Sequence, residues 1–185
     1  MKVVEANRSY LESFFKYIEA QLLENADDKS PLFQPISKEK CVVTESFKTK
    51  FRHGFEHKIG EHGWRKLWVI KDSHEQVVGH IDLRHYSDEY KFHRVLLGMG
   101  VDSRLRKQGL GEKLIECVTQ FCKENPCIDW LDLNVLSNNL PAKNLYLKCG
   151  FEIIGEMLDC YRIEGETVSE TTMTLCTKNE GNSDF

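Results

Sequence analysis

The chain has 185 residues, a formal net charge of −4 and seven cysteines. This length suits one domain with its own core, and the acidic balance argues against a nucleic-acid binder held by a basic surface. The cysteine count is odd and includes no Cys-x-x-Cys pair, so neither a disulfide scaffold nor a zinc ribbon is indicated. Met1–Glu5 lacks the apolar stretch of a signal peptide, and no apolar run approaches the ~18 residues that span a bilayer. We therefore expect a cytoplasmic protein.

The amino-terminal part of the chain predicts a short strand, two helices and a loop between the helices. The strand covers Val3–Ala6, and the apolar residues of Tyr10–Leu23 recur at helical spacing. A polar, proline-punctuated loop spans Asp27–Lys38, and the second helix spans Glu45–Ile59.

A hairpin of two strands is predicted next, at Leu67–Lys71 and Gln76–Arg84. The polar residues His80, Asp82 and Arg84 alternate along one face of its second strand. A face of this kind is usually solvated, and we expect that here. The alternative is that His80 or Asp82 acts as a base or binds a substrate ammonium group.

A buried strand, a basic glycine-containing turn and a helix follow in succession. The strand at Arg94–Val101 is nearly continuous in apolar residues, and the helix covers about 109–124. The turn consists of Arg106, Lys107, Gln108, Gly109, Leu110 and Gly111. No Ser, Thr, Asp or Asn occurs in 105–111, so no side chain is placed to cap the first N–H groups of the helix. An anion at the positive end of the helix dipole would satisfy those donors, and we expect a phosphate or pyrophosphate ligand.

The spacing of the turn excludes two common phosphate-binding motifs. A Walker A loop ends in Gly-Lys-Ser/Thr, which this turn lacks, and the dinucleotide fingerprint needs a third glycine or alanine where Leu114 stands. The alternative interpretation is an ordinary turn whose glycines only let two elements pack closely.

A second strand-to-helix segment follows. Trp130–Leu136 alternates as a strand, Asn139 is placed to cap a helix at Leu140–Lys148, and Gly150 ends that helix. Two final strands and a polar tail are predicted at Phe151–Ile163, Val168–Thr177 and 178–185. We therefore expect a single domain over 1–177 followed by a carboxy-terminal tail.

These two segments carry a resemblance to a known family. Arg-x-x-Gly-x-Gly after a strand resembles the acyl-CoA pyrophosphate loop of the GNAT N-acetyltransferase superfamily, and 139–151 resembles its second hallmark, Asn-x-x-Ala-x-x-Leu-Tyr-x-x-x-Gly-Phe. Two hallmarks in the right order are more specific than either alone. The resemblance covers roughly Val77 to Thr177. It implies an α/β fold whose mixed, mostly antiparallel central sheet is flanked by helices and splayed between the fourth and fifth strands, with acetyl-CoA as co-substrate.

The resemblance also assigns roles to particular residues. Backbone N–H groups of the turn would hold the pyrophosphate, namely those of Arg106, Lys107, Gln108, Gly109, Leu110 and Gly111. Main-chain groups around Met99 and Val101 would bind the pantetheine arm and polarise the thioester oxygen. Asn139 would hydrogen-bond to the pantetheine end of coenzyme A. Tyr146 would donate a proton to the leaving thiolate, and its alternative is a core tyrosine that packs beside Leu145.

The sequence assigns no single residue as the general base that removes the proton of the amine. In several superfamily members a Glu or a pair of His on the strand before the loop removes the amine proton, but the matching positions here hold Val95 and Leu97. His80, Asp82, a water chain or an amine that arrives neutral are the alternatives. A non-catalytic CoA-binding sensor or scaffold is therefore the alternative to an N-acetyltransferase that works by direct attack in a ternary complex.

Acidic residues surround the expected acceptor region, and they favour a cationic amine on a small molecule, peptide or protein. They are Asp82, Asp88, Glu89, Glu156, Asp159 and Glu164. His53 and His57 lie four residues apart on a predicted helix, but the pattern is not His-Glu-x-x-His, so we expect a solvent-facing pair and no metal site. We expect no nucleic-acid or membrane partner, and a monomer or homodimer.

Overall fold

A computed structural model describes residues 1–25, 32 and 34–178, and seven strands of this part form one sheet. The strands are β1 (Val3–Glu5), β2 (Arg65–Lys71), β3 (Val77–His85), β4 (Arg94–Val101), β5 (Trp130–Leu136), β6 (Glu152–Ile163) and β7 (Glu166–Cys176). Their order is β1-β2-β3-β4-β5-β7-β6. Only the β4–β5 neighbours run parallel. The sheet is therefore mixed and mostly antiparallel, as predicted.

The helices are α1 (Leu11–Asn25), α2 (Glu45–Gly54), α3 (Leu110–Lys123) and α4 (Leu140–Lys148). The predicted extension of α2 to Ile59 is wrong. A Cβ on Gly54 would lie 2.5 Å from the Cβ of Arg65, so the last turn of α2 already lies against the start of β2. Half of the predicted loop at Asp27–Lys38 falls outside the described residues, and so does the tail at 178–185 except for Lys178.

Two hydrophobic clusters hold the helices to the sheet. Ile81 and Leu83 of β3 share one cluster with Leu114 of α3. Leu67 and Val69 of β2 share the other with Phe14 of α1 and Phe51 of α2. Because alternate residues of a strand point to opposite faces, α3 lies on one face of the sheet and α1 and α2 lie on the other.

Strands β4 and β5 pair at one end only. Their three paired positions are Arg94↔Trp130, Val95↔Leu131 and Leu96↔Asp132. Beyond them β4 stays paired with β3 as far as Val101, and β5 stays paired with β7 as far as Leu136. A gap therefore opens between 97–101 and 133–136, which confirms the predicted splay between the fourth and fifth strands.

Candidate active site

The β4 wall of the gap offers main-chain groups. The Asp102 N–H donates to the Val78 carbonyl oxygen across β3, at 2.9 Å. Since successive residues of a strand direct their main-chain groups to opposite edges, those of Leu97, Met99 and Val101 point away from β3 and into the gap. Val95 and Leu97 lie in the hydrophobic core. Neither could act as a base, because their aliphatic side chains have no atom that accepts a proton.

The turn between β4 and α3 leaves the helix without a side-chain cap, as predicted. Gly109 directly precedes the helix, and its backbone is in the left-handed region with φ 75°. No side chain caps the first turn of the helix. Among the described residues, no acceptor binds the N–H groups of Leu110, Gly111 or Glu112. Three helix donors and the positive end of the helix dipole therefore face outward, as an anion site requires.

Glycine is required at the two positions of the turn for different structural reasons. A Cβ on Gly109 would have no atom within 4 Å, so this glycine is explained by its positive φ and leaves the turn open. A Cβ on Gly111 would lie 2.7 Å from Cδ2 of Leu145. Gly111 thus lets α3 approach α4 closely, and the packing interpretation of the glycines is correct at this position.

The cations near the turn are mostly engaged. Arg104 pairs with Asp102 at 2.6 Å. Arg106 donates from Nη2 to Glu24 Oε2 at 2.9 Å and from Nε to the Val101 carbonyl oxygen at 3.1 Å. Lys107 has no ion-pair partner in the described part of the chain and is exposed. The charge of Arg106 is therefore paired with Glu24. Nothing in the sequence indicates this role for Glu24, because its local pattern does not distinguish it from the other acidic residues of α1.

The two residues assigned roles after β5 lie at opposite ends of α4, Asn139 just before its first turn and Tyr146 in its last turn. Asn139 caps the helix as predicted, and its Oδ1 accepts from the Ala142 N–H at 3.3 Å. Tyr146 is 7 % exposed, and its ring lies 5.6 Å from that of Phe151. Burial, with a smaller effect of Cys149, raises the pKa of the Tyr146 phenol, which therefore stays protonated at neutral pH. No described residue accepts from its hydroxyl.

The polar face of β3 is buried, so the expectation of a solvated face is wrong. His80 is 8 % exposed and Asp82 is 5 % exposed. Aromatic residues of α1 cover His80, with the ring of Phe14 at 5.2 Å and that of Tyr17 at 5.4 Å. Alternation could not reveal this, because the covering helix lies more than sixty residues earlier in the chain.

His80 and Tyr17 converge on β4. Nδ1 of His80 and the hydroxyl of Tyr17 are buried and have no hydrogen-bond partner among the described residues. A Cβ on Gly100 would lie 3.1 Å from His80 Cε1 and 3.2 Å from the Tyr17 hydroxyl. Burial, partly opposed by Asp82, lowers the pKa of His80 to about 4, so its imidazole is neutral at pH 7.

A hydrogen-bonded cluster closes the narrow end of the gap. Asp132 accepts from Arg94 at 2.7 and 2.5 Å, from Thr174 at 2.6 Å and from Tyr86 at 2.9 Å. Burial alone raises the pKa of the Asp132 carboxyl, but the bonds from Arg94, Thr174 and Tyr86 outweigh it and lower the pKa. Strands β4, β5 and β7 meet in this cluster, and Tyr86 joins it from the position directly after β3.

Half of the six acids expected around the acceptor region pair with cations of the described residues. Asp82 contacts Arg65 and Arg84, Asp159 contacts Arg162, and Glu164 contacts Lys38. Within the described ranges, no group of three His, Cys, Asp or Glu side chains could hold a metal ion. His53 and His57 are exposed.

The geometry of the gap and turn coincides with a family match. Residues 31–151 match the model of the acetyltransferase (GNAT) family. This segment covers more than half of the chain, which therefore belongs to that family.

Particular relatives are similar over different lengths. The chain is 33% identical over 79 residues to the L-amino acid N-acetyltransferase AaaT of Escherichia coli (strain K12), a match covering 43% of this chain and 49% of that protein. The match thus spans about half the length of the curated relative.

No helix in the described portion is long and apolar enough to cross a membrane.

Two solved structures extend the likeness over nearly the whole chain. That of yncA from Salmonella typhimurium, with its cofactor acetyl-CoA, has a TM-score of 0.78 at 16% identity and covers 100% of this chain and 98% of that one. The ribosomal-protein-alanine N-acetyltransferase of Brucella melitensis has a TM-score of 0.73 at 18% identity, with 95% and 99% covered. At these identities the likeness shows the fold.

Proposed function

We propose that this protein transfers an acetyl group from acetyl-CoA to a primary amine, with both substrates bound together and the amine attacking the thioester directly. The observation that carries this proposal is the open edge of β4 next to the uncapped N-terminus of α3. The strand edge offers main-chain donors and acceptors to an extended arm, and the helix offers N–H groups to a diphosphate. A coenzyme A thioester has both parts in this order.

The residues of the turn and strand would divide the binding between them. The Arg106 N–H donates to the Ser103 carbonyl oxygen at 3.4 Å, so of the predicted 106–111 donors those of 107–111 would hold the diphosphate, and the exposed Lys107 would add a positive charge. Met99 and Val101 would bind the pantetheine arm, for which Arg106 has to leave the Val101 carbonyl oxygen. Because Oδ1 of Asn139 is committed to Ala142, the amide nitrogen of Asn139 is the group that would reach the pantetheine.

Two groups of this chain would promote the transfer. A β4 N–H in the gap would polarise the thioester oxygen while the amine nitrogen bonds to the carbonyl carbon and the C–S bond breaks. The leaving thiolate, whose thiol pKa is near ~8.5, would take the proton of the Tyr146 hydroxyl. The attacking nitrogen loses its proton to solvent or to a base.

The relatives support an amine as the acceptor. The Escherichia coli protein is named for L-amino acids, and the Brucella melitensis protein is named for the alanine of a ribosomal protein. Both kinds of acceptor present a primary amine, one on a small molecule and one on a protein.

Replacing Tyr146 with phenylalanine tests the proposal. We expect Tyr146→Phe to lower amine-dependent thiol release by about 100-fold, the usual effect of losing a general acid, while affinity for coenzyme A is kept. The matched control is Tyr90→Phe, since Tyr90 is 85% exposed and contacts neither the gap nor the turn. Free-thiol release with a panel of amines and a thermal-shift titration with coenzyme A measure the two quantities.

The same assays separate the competing functions. Stabilisation by coenzyme A without thiol release from any amine would favour the sensor. Stabilisation by NADP or ATP, but not by coenzyme A, would contradict a CoA site altogether.

A further inference from the structure

Side chains of β3 cover the backbone of β4 beside the gap. Gly98 has no side chain, and a Cβ there would lie 2.8 Å from Asp82 Oδ1 and 3.2 Å from Arg84 Nη1. The Arg84 guanidinium therefore lies against the strand at Gly98, next to Met99. One residue step along a strand is about 3.3 Å, so a group bound by Arg84 lies within a small molecule's length of the main-chain groups that face the gap.

The charges around Arg84 do not balance. Asp82 Oδ2 accepts from Arg65 Nη1 at 3.0 Å and from Arg84 Nη1 at 3.3 Å, so one carboxylate serves two guanidinium groups. The side chains of Asp82, Arg65 and Arg84 are 7%, 14% and 34% exposed. The neighbouring His80 is neutral at pH 7. A positive charge therefore remains beside β4 in a site that water only partly reaches.

Arg65 is stabilised within the fold. Its guanidinium lies 4.2 Å from the ring centre of Phe51, and burial lowers its pKa although Asp82 opposes this. Arg94 differs from these two arginines, because it has the Asp132 carboxylate as its own partner. The excess charge thus belongs to Arg84, the more exposed of the two cations.

Most of the Arg84 donors are open. Only Nη1 has an acceptor among the described residues, and it is the shared Asp82 oxygen. A guanidinium presents five N–H donors in a planar fork, which matches the two oxygens of a carboxylate. An open fork that carries uncompensated charge is the arrangement that binds a carboxylate.

We propose that Arg84 binds the carboxylate of the acceptor, and that the acceptor is a small molecule carrying its amine and carboxylate on neighbouring atoms, as a free α-amino acid does. This inference rests on the proposed function. Asp82 and Arg65 are positioning residues that hold the Arg84 fork against Gly98. A protein N-terminus lacks a carboxylate at this distance from its amine, so the site favours the small acceptor.

Acceptors with and without the carboxylate test the proposal. The twenty L-amino acids are screened by thiol release, and the best one is compared with its α-carboxamide and with its decarboxylated amine. We expect kcat/KM to fall about 30-fold for both analogues, as for the loss of a charge-assisted hydrogen-bonded pair. Equal use of all three compounds would overturn the proposal.

Variants of Arg84 assign the effect to this residue. Arg84→Met is expected to raise KM for the amino acid about tenfold or more with kcat within about threefold, and to leave the decarboxylated amine unaffected. Arg84→Lys keeps the charge without the fork and is expected to recover part of the loss. Arg162→Met is the control, because Arg162 is exposed and its one ion pair within the described ranges is with Asp159. Loss of activity with all acceptors alike would instead show a structural role.

A binding measurement separates this proposal from the proposed function. Calorimetric titration of the amino acid and of its decarboxylated amine into the protein with coenzyme A present needs no turnover. Tighter binding of the amino acid that Arg84→Lys weakens supports the carboxylate site even when no thiol is released. Equal binding of the two compounds would overturn it, whatever the enzyme activity. If Arg84→Met does not fold, Arg84→Lys and the compound series decide the question.

Discussion

Replacing Asp132 with asparagine tests how the joint between β4 and β5 is held. Asp132 is 2% exposed and accepts four hydrogen bonds, two of them from Arg94. Asparagine removes the charge and one acceptor oxygen, so Arg94 loses its ionic partner and keeps its bond to Thr174. Breaking a buried pair costs ~3–5 kcal/mol, and because the Arg94 side chain is 25% exposed, water replaces part of the loss. We therefore expect the free energy of unfolding to fall by about 2–3 kcal/mol.

The expected loss is measurable by thermal or guanidinium unfolding. For a domain of this size each kcal/mol lowers Tm by roughly 2–4 °C, so Asp132→Asn should melt roughly 4–12 °C below the wild type. Asp159→Asn is the control, since the exposed Asp159–Arg162 pair should leave Tm unchanged. Equal Tm values for the two variants would refute the reasoning.

The effect of Asp132→Asn on stability should also depend on pH. The folded pKa of Asp132 is below its ordinary value, so its contribution to stability is present above the unfolded pKa of about 3.9 and is lost as the pH falls through the folded pKa. The difference in stability between wild type and Asp132→Asn should therefore be constant from pH 5 to pH 7 and shrink below about pH 4.

Two further predictions concern the turn and the polar face. Gly109→Ala should lower the free energy of unfolding by about 1–2 kcal/mol in a denaturant titration, because φ is 75° there, and an unchanged midpoint would contradict this conformation. The folded pKa of His80 is about 4, below the unfolded value near 6.5, so the unfolded state binds the proton first. Stability should therefore fall as the pH drops from about 6.5 to about 4, with a slope up to about 1.4 kcal/mol per pH unit that His80→Gln lacks; a parallel slope in the variant would refute it.

The parts of the fold that could be predicted are those that local chemistry determines. The bounds of β4, β5 and α4 agree with the prediction, because an apolar run, strict alternation and the Asn139 cap each mark an end. The uncapped start of α3 could also be predicted, since it depends only on which side chains the turn lacks.

The remaining features depend on contacts between distant parts of the chain. The burial of His80 and Asp82 requires α1 and Arg65, and the engagement of Arg106 requires Glu24, which lies 82 residues away. The acids near the acceptor region were counted correctly, but their partners could not be read from the sequence. A count of acidic residues therefore does not give the charge that an acceptor would meet, because pairing with Arg65, Arg84, Arg162 and Lys38 is set by the fold.

The joint between β4 and β5 divides the sheet into two antiparallel blocks, one of β1–β4 and one of β5, β7 and β6, whose backbones pair at three positions. Each block is continuous in the sequence. An extended ligand lying between them would bond to the edges of both, so its binding free energy is in part the free energy of association of the two blocks. A saturating ligand should accordingly raise the temperature at which the molecule unfolds.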